Sequence, residues 1–243
     1  MAQMKRPDRL SKEALDYYLS HTLQMEDTFT FDCKMCGSCC RKREEPIVMT
    51  GVDVFFIAKA LGINPAEVAQ KYLNWNIGPD SKLPIATLRE RLDGSCVLMR
   101  KSKCTIQNMK PVVCAIFPLG RMLSPQTGEY QYFFQPSGCA GGSGDTKHTL
   151  REWLSGFGIE ERDEMARAWT KLFTAASICM RGMKHLNPEA EKSCRDLLVF
   201  ALYLNYSEKV PYIEAVQKNA MLLEAGLPRF KMPDWGATKA GGA

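Results

Sequence analysis

Cys33-Lys34-Met35-Cys36-Gly37-Ser38-Cys39-Cys40 packs four thiols into eight residues, and Cys96, Cys104, Cys114 and Cys139 follow downstream. The C-x2-C-x2-C-C spacing sets successive sulfurs one short turn apart, so a single loop can wrap a metal ion or an iron–sulfur cluster from several directions. Side chains on adjacent residues diverge, so Cys39 and Cys40 reach most easily toward different centres. Eight soft ligands divide into two sets of four. The stretch therefore predicts a loop-rich domain organised by cysteines, and the rest of the chain is read outward from it.

Disulfides are the competing use of an even number of cysteines. A chain of 243 residues is long enough to bury a core without cross-links, and disulfide-dense domains belong to secreted proteins. Met1-Ala2-Gln3-Met4-Lys5-Arg6-Pro7 lacks the apolar core of a secretory signal. A reducing, cytoplasmic setting is expected. The longest aliphatic and aromatic run, Leu197 to Leu204, falls well short of the roughly 20 apolar residues that a bilayer span requires, so no membrane association is expected.

The formal net charge is +5, a modest excess, but its distribution is informative. Between Cys33 and Arg121 there are 14 Lys and Arg against 7 Asp and Glu, and the same span holds seven of the eight clustered cysteines. Four thiolates around zinc or a 4Fe-4S cluster leave roughly two net negative charges, which nearby cations offset while lowering the thiol pKa values. A nucleic-acid surface is disfavoured because the aromatic interleaving typical of single-strand binders is absent.

Lys12 to Met25 carries Leu15, Tyr18, Leu19 and Leu23 at helical spacing after a Ser11 cap, predicting a helix that leads into the first cysteines. Thr50 with Asp53 starts a helix that stops at Gly62, and Asn64-Pro65-Ala66-Glu67 starts another at once. From Leu83 to Tyr132, short apolar stretches broken by Gly and Pro, such as Cys96-Val97-Leu98-Met99, predict short strands or extended loops. Ser124-Pro125-Gln126-Thr127-Gly128 predicts a turn pairing Arg121 to Leu123 with Tyr130 to Phe134. Gly141 to Gly144 reads as a linker. Helical periodicity then dominates near 147–156, 160–182, 188–206 and 208–225, before a loosely ordered tail from Arg229. Together these segments predict an α-rich α+β fold: a cysteine-cluster metal-binding domain of short strands and helices over residues 1–145, followed by a helical region over 146–243 packed on it.

Cys33, Cys36, Cys39 and Cys40 carry the strong signal, and their presence raises Cys96, Cys104, Cys114 and Cys139 from small buried hydrophobes to ligand candidates. Phe117-Pro118, just after Cys114, would stiffen that loop and shield a centre from water. Glycines around Cys139 would let the backbone approach a cluster. Cys179 and Cys194 lie in helical, apolar surroundings and read as core. His21, His148 and His185 are remote in sequence from the cysteines and read as surface or core residues. Arg89 and Arg121 are the polar residues of note near the cluster segment. No phosphate-binding glycine loop or serine nucleophile elbow is present, and no catalytic residue can be assigned.

At this point the pattern Cys33-Lys34-Met35-Cys36-Gly37-Ser38-Cys39-Cys40, Cys96-Val97-Leu98, Cys104-Thr105-Ile106-Gln107 and Lys110-Pro111-Val112-Val113-Cys114 with Phe117-Pro118 resembles the YkgJ-type CxxCxxCC cysteine-cluster family of zinc- or iron-chelating domains. The resemblance covers about residues 30–142. Lys110-Pro111 stands where the family usually shows Arg-Pro, and Gln107 where an aromatic follows the isoleucine, leaving all the ligand positions intact. The cysteine cluster is also distantly similar to that of flagellin lysine N-methylases, which implies a redox or methyl-transfer enzyme with a protein substrate.

The C-x2-C-x2-C triplet is more typical of cubane ligation than of zinc knuckles built from paired C-x2-C units. The leading expectation is thus two 4Fe-4S clusters. Cys33, Cys36 and Cys39 would bind one and Cys40 would cross to the other, serving electron transfer with a protein redox partner or a cluster-dependent modification of a protein substrate. The opposing expectation is a zinc-binding structural or interaction module, or a metal chelator, with no catalysis.

Overall fold

The computed structural model describes residues 16–18, 20–41, 45–124, 127–135, 139, 144–183 and 186–232. The fold is α+β with a helical C-terminal region. Its contacts divide the chain into two compact units that interleave in sequence: one comprises Met1–Glu45 with Glu90–Asp163, the other Pro46–Arg89 with Glu164–Ala243. Pro46–Arg89 is thus grouped by its contacts with the later helices.

The first unit contains the eight clustered cysteines. Its core gathers Phe29, Phe31, Val112, Ala115, Ile116, Leu119, Tyr132, Leu150, Leu154 and Ile159. The expected hairpin forms between Leu119–Leu123 and Tyr130–Phe134, and Thr22–Leu23 adds to the outer side of the latter. The predicted helix over 12–25 therefore ends before Thr22; of its earlier part, residues 12–15 and 19 lie outside the described residues. Thr28–Thr30 pairs with Lys147–Thr149, so the helix expected from residue 147 begins only at Leu150. Lys147 to Thr149 follow the helical spacing, but their backbone bonds go across to Thr28–Thr30. Thr149 then caps the Leu150–Ser155 helix through a capping box with Glu152, an arrangement that contributes about 1 kcal/mol.

Aromatic contacts fasten that helix to the cysteine-bearing segments. Trp153 stands edge-on to Phe29 and Phe31, with ring centroids 5.5 and 5.9 Å away, and its indole N–H donates to the Ile116 carbonyl, two residues after Cys114. Asp163 accepts hydrogen bonds from the Arg121 guanidinium and the Tyr132 hydroxyl. Arg121 also stacks over Tyr130, 3.9 Å from the ring centre. A largely buried charge held by an opposite charge and a hydroxyl has little desolvation penalty left unmet. The expected linker over 141–144 lies outside the described residues except for Gly144, as does the tail beyond Met232.

The second unit is helical around a three-stranded antiparallel sheet in the order Val48–Met49, Pro84–Leu88, Leu73–Ile77. Both helix starts read from sequence are present. Thr50 and Asp53 form a capping box on Gly51–Leu61, which ends on left-handed Gly62, and Asn64 and Glu67 form another on Pro65–Tyr72. The helix Pro188–Val199 runs on as a π turn over Phe200–Leu204, and Tyr212–Gly226 follows.

Within the π turn, the Leu202 carbonyl accepts the Trp169 indole N–H at 2.7 Å, and the Tyr203 hydroxyl donates to the Pro84 carbonyl at 3.0 Å. Gly51 is wedged against the same pair: a Cβ there would lie 2.2 Å from the Leu202 oxygen and 2.6 Å from the indole nitrogen. The helix N-terminus therefore packs at backbone distance. Cys179 and Cys194 are buried in this unit, as their apolar surroundings implied. No described helix is long and apolar enough to cross a membrane.

The Gly51→Ala substitution should lower unfolding stability by about 1–3 kcal/mol through overpacking, read as a reduced denaturant midpoint in a urea titration followed by circular dichroism. An unchanged midpoint would show that the π turn yields freely.

Candidate metal centre

Turn geometry bends the cysteine loop. Met35 adopts φ 48° and Gly37 φ 75°, and a 3-10 turn over Ser38–Cys40 follows. Left-handed backbone is costly for a residue with a Cβ and is tolerated where surroundings fix it. The surroundings here are the hairpin of Met99–Arg100 and Lys103–Cys104, whose two linking residues, Lys101 and Ser102, are themselves left-handed at φ 45° and 64°. Two consecutive positive φ values are what a tight two-residue hairpin demands. The Ser102 carbonyl lies 2.7 Å from where a Gly37 Cβ would stand, so only glycine admits this approach.

A polar lattice locks the two pieces together. The Arg41 guanidinium donates to the Cys36 carbonyl at 3.0 Å and to the Ser102 hydroxyl at 2.7 Å. The Cys96 N–H donates to the Cys40 carbonyl at 2.8 Å, and the bridges Arg41 to Ser95 and Glu90 to Cys96 extend that junction. Arg91 gathers the next loop by donating to the Ser95 hydroxyl and to the carbonyls of Val97 and Met99. Cys114 sits in the short helix Val112–Ala115, which follows Lys110, whose carbonyl accepts from Arg162 at 2.8 Å.

None of the ten cysteines, all of them among the described residues, is in a disulfide. Cys33, Cys36 and Cys39 are exposed, Cys40, Cys104, Cys114 and Cys139 half-buried, and Cys96 buried. Electrostatic interactions tie Cys36 to Cys39, Cys40 to Cys39, Cys96 and Cys114, and Cys104 to Cys96 and Cys39. Six of the eight candidates thus share one neighbourhood. Cys139 packs against the apolar core of the unit, and Cys33 opens the loop. Among the described residues no three of His, Cys, Asp or Glu close within reach of a single metal ion.

The thiols differ in how readily they ionise. Cys36 is pulled below the ordinary thiol range, chiefly by the Ser38 hydroxyl 3.1 Å from its sulfur. Cys40 is pushed far above it, first by its hydrogen bond with Cys39, then by burial, then by the negative charge of Cys39, Cys96 and Cys114. Cys104 is raised mainly by burial, with Lys110 opposing. Each thiolate formed makes the next harder to form, and a bound cation reverses that order. The donor set therefore fits a thiophilic metal or a cluster, which would draw on Cys36, Cys39, Cys40, Cys96, Cys104 and Cys114.

The residues that shape the site but escaped the sequence reading are Ser38, Arg41, Arg91 and Ser102. Their only signal was membership in a basic, turn-rich stretch. Conversely, Arg89 serves the other unit, donating to the Lys71 and Leu73 carbonyls and to Asn74, and Arg121 is committed to Asp163. Phe117, expected to shield the centre, packs edge-on to Phe31. His21 bonds near Tyr17 and Ser20, His148 bonds the Phe31 carbonyl, and His185 lies outside the described residues.

The Gly37→Ala substitution should weaken zinc or iron binding about tenfold, since the left-handed backbone alone costs roughly 1–2 kcal/mol before the Ser102 carbonyl is displaced. A chelator-competition titration reads this, and wild-type affinity in the variant would show that the loop binds without the hairpin.

Residues 32–140 match the model of the CxxCxxCC family, described as a putative zinc- or iron-chelating domain. No curated protein and no solved structure matches the chain significantly. The cysteine order of this segment is thus similar to that of the CxxCxxCC domain over residues 32–140.

Proposed function

We propose that the cysteine-rich unit carries iron–sulfur centres, as many as two 4Fe-4S clusters, and that the protein uses them for electron transfer or for a cluster-dependent modification of a protein partner. The observation that carries this reading is the C-x2-C-x2-C spacing of Cys33, Cys36 and Cys39, more typical of cubane ligation than of zinc knuckles, on a loop whose thiols share a neighbourhood with Cys96, Cys104 and Cys114. Tetrahedral zinc holds its sulfurs about 2.3 Å from one point and so pulls them together. A cubane presents iron at separate corners and accepts thiolates from farther apart. Such a cluster supplies one-electron transfer when bound. The chain supplies the rest: an arginine-clamped loop, a hairpin that brings Cys104 beside Cys39 and Cys96, and Lys110, whose charge acts on Cys104, to offset negative charge. This reading places the protein in a reducing, cytoplasmic setting.

One observation favours a second reading. Cys33, Cys36 and Cys39 are exposed, which suits a chelator that takes up and releases zinc or iron from solvent through these sulfurs.

Purification without oxygen, followed by visible spectroscopy and analysis for iron, sulfide and zinc, separates the two. A brown protein with a broad visible band and matched iron and sulfide is expected; a colourless protein carrying only zinc would sink the cluster reading. On the two-centre arrangement, Cys36→Ser and Cys40→Ser should each disturb a different centre, while Cys194→Ser leaves metal content unchanged. Identical losses in the first two variants would point to one centre.

A further inference from the structure

The hairpin that carries Cys104 has two faces of opposite character. Met99 pairs with Cys104 and Arg100 with Lys103, with Lys101 and Ser102 at the turn. Side chains of directly opposed residues share a face, and successive pairs alternate between faces. Met99 is buried and Cys104 half-buried, whereas Arg100, Lys101 and Lys103 are all exposed. The cysteine loop packs on the Met99 side, since a Cβ at Gly37 would stand 3.2 Å from the Met99 sulfur. Arg100 and Lys103 therefore project from the face turned away from that loop, and their charge is presented to solvent rather than to the thiols.

That outward face is cationic with nothing to balance it. Arg100 and Lys103 are like charges set directly opposite each other, which destabilises a strand pair, and Lys101 adds a third on the adjoining turn. Arg41 comes up beside them, its guanidinium 2.7 Å from the Ser102 hydroxyl. None of Arg100, Lys101 and Lys103 makes an ion pair among the described residues. Of the carboxylates in the same unit, Asp32 pairs with Lys34, Glu26 with Arg151 and Asp163 with Arg121, and Asp93 accepts from the Ser95 N–H. Self-repulsion of this kind is relieved when an anionic group arrives from outside.

We propose that this hairpin face docks an acidic segment of a partner protein beside Cys104. Carboxylates along such a segment meet three cations held within four residues of a tight turn. The stretch Met99-Arg100-Lys101-Ser102-Lys103-Cys104 has no aromatic ring on which a base could stack, which favours a carboxylate-rich peptide over single-stranded nucleic acid. Exposed charges of this sort steer encounter and make binding salt-dependent. That the partner is a protein rests on the function proposed above; the docking does not depend on which metal the thiols hold.

Fluorescence anisotropy of a labelled oligoglutamate peptide, titrated with the full-length protein as purified, tests this, with a single-stranded oligothymidylate of equal charge for comparison. The wild type should bind the peptide, and more weakly as salt is raised. Combining Arg100→Gln, Lys101→Gln and Lys103→Gln removes three exposed charge pairs and should weaken binding on the order of tenfold. Combining Lys82→Gln, Lys209→Gln and Lys231→Gln removes the same charge at exposed positions of the other unit and should leave binding unchanged. Lys103→Gln alone relieves the opposed pair, so the hairpin stays folded, and should weaken binding by a smaller factor; circular dichroism checks the fold of every variant. Absence of wild-type binding, equal loss in both triple variants, or tighter binding of the oligothymidylate through the same residues overturns the proposal. Metal and sulfide analysis of the same preparations keeps it apart from the cluster reading: a zinc protein that binds the peptide through this hairpin upholds the docking face, and a cluster-bearing protein whose hairpin variants bind as the wild type does overturns it.

Discussion

The crowding of thiols is the constraint around which the cysteine-rich unit is arranged. Cys40 bears most of it: its hydrogen bond with Cys39, its burial and the charge that Cys39, Cys96 and Cys114 would carry all raise the cost of ionising it, and burial raises that of Cys104. A metal-free site of this kind keeps part of its donor set protonated. A cationic centre removes the repulsion, displaces the protons and converts a mutually unfavourable cluster into a ligand shell. The excess of Lys and Arg over Asp and Glu along the same span acts in the same direction, by offsetting the negative charge that remains after ligation.

Thiols stay crowded before a ligand arrives only if something else holds their backbones, and here the restraint is hydrogen bonding at unusual dihedrals. Left-handed Met35 and Gly37 bend the loop, left-handed Lys101 and Ser102 close the hairpin, and Arg41 spans the two. None of these groups needs to touch a metal. Their effect is to fix which sulfurs face one another before any ligand arrives, so that less conformational entropy is lost on binding. The exposed sulfurs of Cys33, Cys36 and Cys39 remain the adaptable side of the site, and the more buried Cys96, Cys104 and Cys114 its fixed side.

What the sequence revealed and what it hid follow from the range of the interactions. The helix starts at Thr50 and Asn64 were legible because a capping box is complete within four residues. The hairpin around Gly128 was legible because its turn residues lie between two apolar runs. Strands of two or three residues carry too little periodicity to read, so Thr22–Leu23 was absorbed into the helix before it and Lys147–Thr149 into the helix after it. The hairpin bearing Cys104 turns on Lys101 and Ser102, without the Asn-Gly or Gly that would announce it. The cysteines marked the site, but the side chains that shape it, Ser38, Arg41, Arg91 and Ser102, have no composition that separates them from an ordinary basic surface. The grouping of Pro46–Arg89 with the later helices depends on contacts across the whole chain, and no local pattern reports it.

That interleaving gives the cysteines a second role. Pro46–Arg89 is an excursion that leaves the metal-bearing unit after the C-x2-C-x2-C-C loop and re-enters it at Glu90, just before Cys96. Without a metal, the two ends are held by the Cys96 to Cys40 backbone bond and by the bridge Arg41 to Ser95, each worth only about 1 kcal/mol net. A centre that takes sulfurs from both Cys36–Cys40 and Cys96–Cys114 cross-links the same two ends. Closing a long excursion is where a cross-link removes most entropy from the unfolded chain, so a centre ligated from both sides of this junction would also act as a staple on the segment between.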